Sequence, residues 1–299
     1  MTNNIQNEVK IGVHPNNHSL FVLRRTGILE NILEKLDATV KWIDYENGAS
    51  TAQRIAVEEI DFGGTGATPP LIGQASGIDL VYVAVSEPRP ESGALVVLTD
   101  SSVTSVADLK GRRVALTEGS WHTSFLATAL DEVGLLYEDV ERVDGGDEAL
   151  VAGEADAWIG NDPQLAELQK KGVVRTILPV NPYISHRSVW FASRSFATNN
   201  PEILDAVVDA LQHSDAWVQE NPREAAELIA RDLPNWPSAD VWEDVLKRRP
   251  WGLKPVTQDF ISEQQRVADL LAHQSLLPQP IKVADAVLSP TAALGGQAS

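Results

Sequence analysis

Strands and helices alternate from residue 9 to about residue 195, and from about 196 onward only helical patterns follow. A helical run with no strand of its own must pack on a sheet that an earlier part of the chain has built. That order of elements constrains the fold more than any single motif.

Four short apolar runs read as strands in the first part: "VKIGV" (9–13), "TVKWIDY" (39–45), "IDFGG" (60–64) and "DLVYVAVS" (79–86). Helical patterns fill 19–36 and 50–60 between them, which predicts a parallel α/β sheet. "EPRPESG" (87–93) then breaks the pattern with two prolines and a glycine. A second series follows, with strands expected at 94–99, 112–117, 156–160, 173–179 and 188–194, and a helix from Ser120 to about Val133. In the tail, Asn200-Pro201-Glu202 and Asn221-Pro222-Arg223-Glu224 mark helix starts. Further helices are expected near 238–247 and 257–273. If the tail returns to the first series, the chain crosses between two lobes near 87–92 and near 187–195. Two crossover strands make a hinge with a cleft between the lobes. The expected organisation is lobe 1 from 1–90 and 193–299, lobe 2 from 91–192, and a mobile end at 288–299.

In open α/β sheets, ligands bind beyond the carboxyl ends of the strands, and four loops qualify. His14-Pro15-Asn16-Asn17-His18 follows the first strand and serves equally as a helix cap or a ligand contact. Gly63-Gly64-Thr65-Gly66-Ala67-Thr68 follows the third. Its glycines permit close backbone approach, and Thr68-Pro69-Pro70 reads as a cap with first-turn prolines, so the loop suits either an anion or a tight turn. Glu118-Gly119-Ser120-Trp121-His122 opens a helix in the second series, with Trp121 open to a lobe-core reading. Gly160-Asn161-Asp162-Pro163 offers Asn161 as the ligand candidate and Asp162 as a cap. Trp190, on the expected second crossover, is placed on the cleft wall. Arg248, Arg249 and Trp251 of "KRRPWG" bring guanidiniums and a ring together in an acidic chain, with Arg248 as the candidate contact, or simply end a helix. Glu87, at the start of the first crossing, completes the candidate set.

The formal net charge of −18 argues against nucleic acid or anionic lipid as partners. The chain has no cysteine, which removes thiolate chemistry and disulfides. Its six histidines show no metal-binding spacing, and neither a P-loop lysine nor a G-x-S-x-G elbow is present. No metal and no cofactor is expected. A polar, aromatic-lined cleft without a nucleophile–base set favours binding over catalysis. The first ten residues carry no signal-peptide core, which fits a cytosolic protein or a processed one equally.

Taken together, "IDFGGTGATPPLIGQASGIDLVYVA", "VADLKGRRVALTEGS", "DAWIGNDPQLAE", "FASRSFATNNPEIL", "DAWVQENPREAAELIA" and "KRRPWGLKPVT" resemble the periplasmic aliphatic sulfonate-binding proteins of ABC transporters. Those belong to the larger group serving nitrate, taurine and thiamine-precursor uptake. The resemblance implies a type II periplasmic binding protein: two α/β lobes, two crossovers, and a small organic anion held between them. It implies a permease as partner, a monomer, and an extracytoplasmic location, with the cytoplasm left open. Carried over by position, the ligand meets His14–Asn17, Gly66–Thr68, Gly119–Trp121 and Asn161, with Arg248 as a further contact. The same fold resembles a sulfinate desulfinase that uses a cysteine near the position of His14. The alternative is therefore a cytosolic enzyme or sensor on this scaffold, with His14 or His122 as acid–base group.

Overall fold

A computed structural model describes residues 8–288. The first lobe begins with β1 (Glu8–Val13), α1 (His18–Thr26), α2 (Ile28–Glu34), β2 (Thr39–Asp44), α3 (Thr51–Ala56), β3 (Phe62–Thr65), α4 (Thr68–Ala75) and β4 (Leu80–Val85). The helix expected over 19–36 is split at Gly27, whose φ of 69° ends α1 in the left-handed region. Thr68 is the first residue of α4, preceded by Ala67 at the cap position.

The second lobe holds β5 (Gly93–Leu98), β6 (Arg113–Leu116), α5 (Trp121–Asp131), β7 (Glu141–Asp144), α6 (Asp147–Val151), β8 (Ala157–Asn161), α7 (Gln164–Lys170) and β9 (Val174–Pro179). The chain then returns through β10 (Val189–Ser193) to α8 (Arg194–Asn199), α9 (Pro201–Glu220), α10 (Pro222–Asp232), α11 (Ala239–Arg248) and α12 (Gln258–His273). β7 was not anticipated: "ERVD" is short, exposed and charged, and only pairing with β6 makes it a strand.

Each lobe has a five-stranded sheet, in the orders β2-β1-β3-β10-β4 and β7-β6-β8-β5-β9. Both are mixed rather than parallel. β10 runs antiparallel to β3 and β4, and β5 antiparallel to β8 and β9, because these are the strands that enter a lobe from the other side. Residues 189–192, expected in lobe 2, therefore hydrogen-bond within the first sheet, and the second crossing lies between β9 and β10. The first crossing, between β4 and β5, falls where the proline-rich break put it. The two crossings are paired: the amide of Ser86 donates to Ser188 O at 2.9 Å and that of Arg89 to His186 O at 3.2 Å.

The strandless tail does return to the first sheet. Ile203, Leu204, Val207, Leu211 and Val218 on one face of α9 pack with Leu20, Leu23, Leu29 and Phe62 in a core confined to lobe 1. A second core crosses between the lobes and joins Tyr82, Phe191, Leu95, Phe125, Phe260 and Leu271, so α12 seals the back of the hinge. The expected mobile end lies, apart from Leu288, outside the described residues.

Candidate functional site

Between the lobes lies a cleft of about 300 Å³. The carboxyl ends of β1 and β3 supply one wall, β6–α5 and β8 the opposite wall, and the two crossings with the end of α11 close it. Of the residues singled out from sequence, His14, Asn16, Asn17, Gly66, Ser120, Trp121, His122, Asn161 and Arg248 line it. Asn17 caps α1 by accepting the Leu20 amide at 3.1 Å, and Ser120 caps α5 by accepting that of His122 at 3.1 Å. Capping and lining the cleft thus coincide in both residues.

Six others stand elsewhere. Thr68 is fully buried, its hydroxyl 2.7 Å from that of Ser124 across the lobe boundary, and Ala67 O accepts from Gln264 Nε2 at 2.9 Å. Gly119 donates its amide to Thr123 Oγ1 at 2.9 Å. Glu87 turns outward to Lys254 (3.4 Å) and Arg187 (3.9 Å). Trp190 is wholly buried in the lobe 1 core instead of on the cleft wall, because β10 is an interior strand of the sheet. Trp251 lies beside the cleft, donates to Leu246 O at 2.9 Å, and has the Arg249 guanidinium 4.7 Å from its ring centre.

The glycine cluster has a packing role at Gly64. A Cβ there would lie 2.4 Å from Asn17 Nδ2 and 2.5 Å from the Trp190 indole, so only glycine lets the strand pass between them. Several loop amides offered for an anion are already used, since Gly119, Ser120, His122 and Thr123 at α5 each donate within their own loop.

Positive charge in the cleft comes from Arg89, which sequence reading missed, and from Arg249, which it grouped with Arg248 and Trp251 but did not choose as the ligand contact. Arg89, on the first crossing, and Arg249, just after α11, are each 8% exposed and line the cleft. Arg89 donates Nε to His186 O at 3.2 Å. Arg249 donates to His18 Nδ1 at 2.9 Å and reaches Ser188 Oγ at 3.5 Å, while its Nε has no partner among the described residues. Among the described residues neither guanidinium has a carboxylate within salt-bridge distance. Burial, offset in part by Asp215 and Asp162, lowers Arg249 to about 10. Burial and then repulsion from Arg249 work against the charge on Arg89. Both stay protonated at neutral pH because guanidinium is so strongly basic. Arg248, the arginine anticipated from sequence, is instead committed to Asp162, whose buried carboxylate it pairs with. "KRRPWG" signalled a cation but not which of its arginines would be free.

Four buried histidines surround this charge. Burial pushes His14 and His122 down to about 4, and holds His18 and His186 well below the usual value, the latter two helped by the nearby arginines. His14 Nε2 donates to Gly64 O at 2.9 Å. His122 Nδ1 accepts the Thr117 amide at 3.0 Å, which places the proton of the neutral ring on Nε2. The site is therefore cationic through arginine and neutral through histidine, with the ring of Trp121 on its surface. Such a cavity holds an anion bearing a small organic part.

Two α/β lobes, two paired crossings and a polar cleft at the strand ends define a periplasmic binding protein fold. The sequence matches the NMT1/THI5-like family model over residues 35–225, well over half of the chain, and the protein belongs to that family. It is 29% identical over 272 residues to a putative aliphatic sulfonates-binding protein of Escherichia coli, covering 89% of this chain and 85% of that one. The alkanesulfonate-binding protein SsuA of Xanthomonas axonopodis pv. citri, solved bound to MOPS, superposes with a TM-score of 0.86 at 29% identity, covering 94% of this chain and 98% of that one. The desulfurization enzyme DSZB shares the fold alone, at 17% identity and a TM-score of 0.66 over 95% of this chain and 97% of that one.

Proposed function

We propose that this protein captures a small organic anion of the alkanesulfonate class in the interlobe cleft and presents it to an ABC-type importer outside the cytoplasm, acting as a monomer without turnover. The observation that carries the reading is the pair of buried guanidiniums of Arg89 and Arg249, which have no carboxylate partner among the described residues. An uncompensated buried charge costs several kcal/mol, and a bound anion would offset that cost while taking charge-assisted hydrogen bonds. A neutral Trp121 and neutral histidines beside the arginines suit an organic anion better than a fully hydrated inorganic one. Relatives named for aliphatic sulfonates and alkanesulfonates support the headgroup, and those solved as periplasmic proteins support the location. Among the described residues no helix is long and apolar enough to cross a membrane.

Binding without chemistry is favoured over an acid–base role for His122, whose Nδ1 accepts the Thr117 amide and whose burial keeps the ring neutral. Titration calorimetry with ethane-, butane- and hexanesulfonate, taurine and MOPS tests the proposal. At least one is expected to bind at micromolar concentration or tighter. Absence of heat for every sulfonate, with the protein folded, would count decisively against it.

A further inference from the structure

The indole of Trp121 occupies an unusual place. Its Cβ end lies against Gly66 of lobe 1, where a Cβ added to the glycine would sit 3.0 Å away. Its far edge lies against Gly93, where the first crossing becomes β5, and an added Cβ would come within 2.7 Å of Cη2. One face is covered by His186 of the second crossing, with ring centres 4.0 Å apart and planes 33° apart. The His122 ring meets it edge-on at 4.4 Å. One ring is thus clamped by both lobes and both crossings, and the close approaches exist because two of its neighbours have no side chain.

Behind it is a second, much smaller cavity of about 10 Å³, room for no more than a water molecule. Trp121 and His186 line both spaces. The far walls include Ala67, Ile184, Val267 and Gln264, with the Arg187–Glu263 ion pair (3.7 Å) at one side. The Trp121–His186 pair is the partition between the two.

We propose that Trp121 determines specificity as the floor of the cleft: its indole ends the space open to the ligand's organic tail, and so restricts the protein to short or compact anions. This rests on the anion-binding reading above. His186 carries both the partition and the carbonyl that receives Arg89 Nε, so the floor adjoins the arginine that would hold the headgroup. A tail running back from that headgroup meets the ring within a few methylenes. Removing the ring joins the two spaces and opens a partly apolar channel beneath α12.

The test is a length series of linear 1-alkanesulfonates, from two to eight carbons, titrated into the wild type and Trp121→Ala. Each buried methylene strengthens binding by roughly fourfold until the tail reaches an obstruction. In the wild type, affinity is expected to peak at a short chain and then fall. In Trp121→Ala the peak moves to longer chains, and the ratio of octane- to ethanesulfonate affinity rises by roughly tenfold or more. Free indole should compete with the long chains in that variant but not with ethanesulfonate, an outcome that a merely structural tryptophan would not give. Should the alanine variant fail to fold, Trp121→Leu gives the same shift at smaller size. Identical length profiles in wild type and variant overturn the proposal. Alkane-1-carboxylates and alkyl-1-phosphonates are titrated in parallel. A length-dependent response to them with no response to sulfonates removes the sulfonate reading and keeps the floor. Binding of no organic anion at all removes both.

Discussion

Arg249 brings a positive charge into the cleft that, among the described residues, no carboxylate contacts, and this makes an unusual pair of expectations. Arg249→Gln should weaken the best-bound anion by about 10- to 100-fold, the worth of hydrogen bonds to a charged group. In the ligand-free protein the same change removes a buried, unpaired charge, so the midpoint of urea unfolding should rise or hold steady. Calorimetry beside urea titration checks both; loss of binding together with a lower midpoint would point to a structural arginine instead. Gly64 gives a cleaner packing test. Gly64→Ala forces a methyl into the space of Asn17 Nδ2 and the Trp190 indole, and should cost about 1–3 kcal/mol in the same titration. At this scale the sequence revealed the residues that follow strands. His14, Ser120, His122 and Asn161 stand where the rule for open α/β sheets puts ligands, and position alone located them. It did not reveal Arg89 or His186, which come from a hinge with no motif of its own, and it named Arg249 only alongside Arg248, without telling which of the two would be free. Nor could it place Trp190, since an aromatic strand residue reads alike on a cleft wall and in a core.

At the scale of elements, β10 and the crossings that bracket the cleft are decisive. Arg187 joins them: Nη1 donates to Ser86 O at 2.7 Å, and the guanidinium faces Glu263 of α12 at 3.7 Å and Glu87 at 3.9 Å. Ser86 Oγ in turn accepts the Ser188 amide at 2.9 Å. Arg187→Ala should therefore loosen the crossings locally. Amides of Ser86, Arg89 and Ser188 should exchange ~10-fold faster, while those of β1 keep their protection. Uniform acceleration across the protein would mean global destabilisation. Most element boundaries were legible to within a residue or two, because apolar runs and proline starts are local signals. The direction of β5 and β10 was not, since a strand's direction is set by where its neighbours come from. The same reason explains the charged β7, which becomes a strand only by pairing with β6.

For the whole molecule, the four buried histidines set the acid limit. His14 and His122 titrate at about 4 in the folded protein against 6.5 unfolded. Between those values the unfolded chain takes up protons that the folded one refuses. Stability is thus lost as pH falls from about 6.5 toward 4, at up to about 1.4 kcal/mol per pH unit for each histidine. Asp215 opposes this. Burial raises it to about 6 from 3.8, so the folded state holds a proton the unfolded state has released, and its contribution grows as pH falls through that window. Four histidines outnumber it, so the net trend is acid-labile, and Asp215→Asn should steepen the decline. Urea unfolding at pH 7, 6, 5 and 4 reads the trend; a flat profile would refute it. The sequence by itself determined two α/β series, a break between them and a helical tail that needed a sheet already built, because apolar periodicity and proline placement act over short distances. Only the tertiary structure decided which strands run antiparallel, which tryptophan faces the cleft and which arginines go unpaired. Those depend on what a side chain meets when segments far apart in the chain come together.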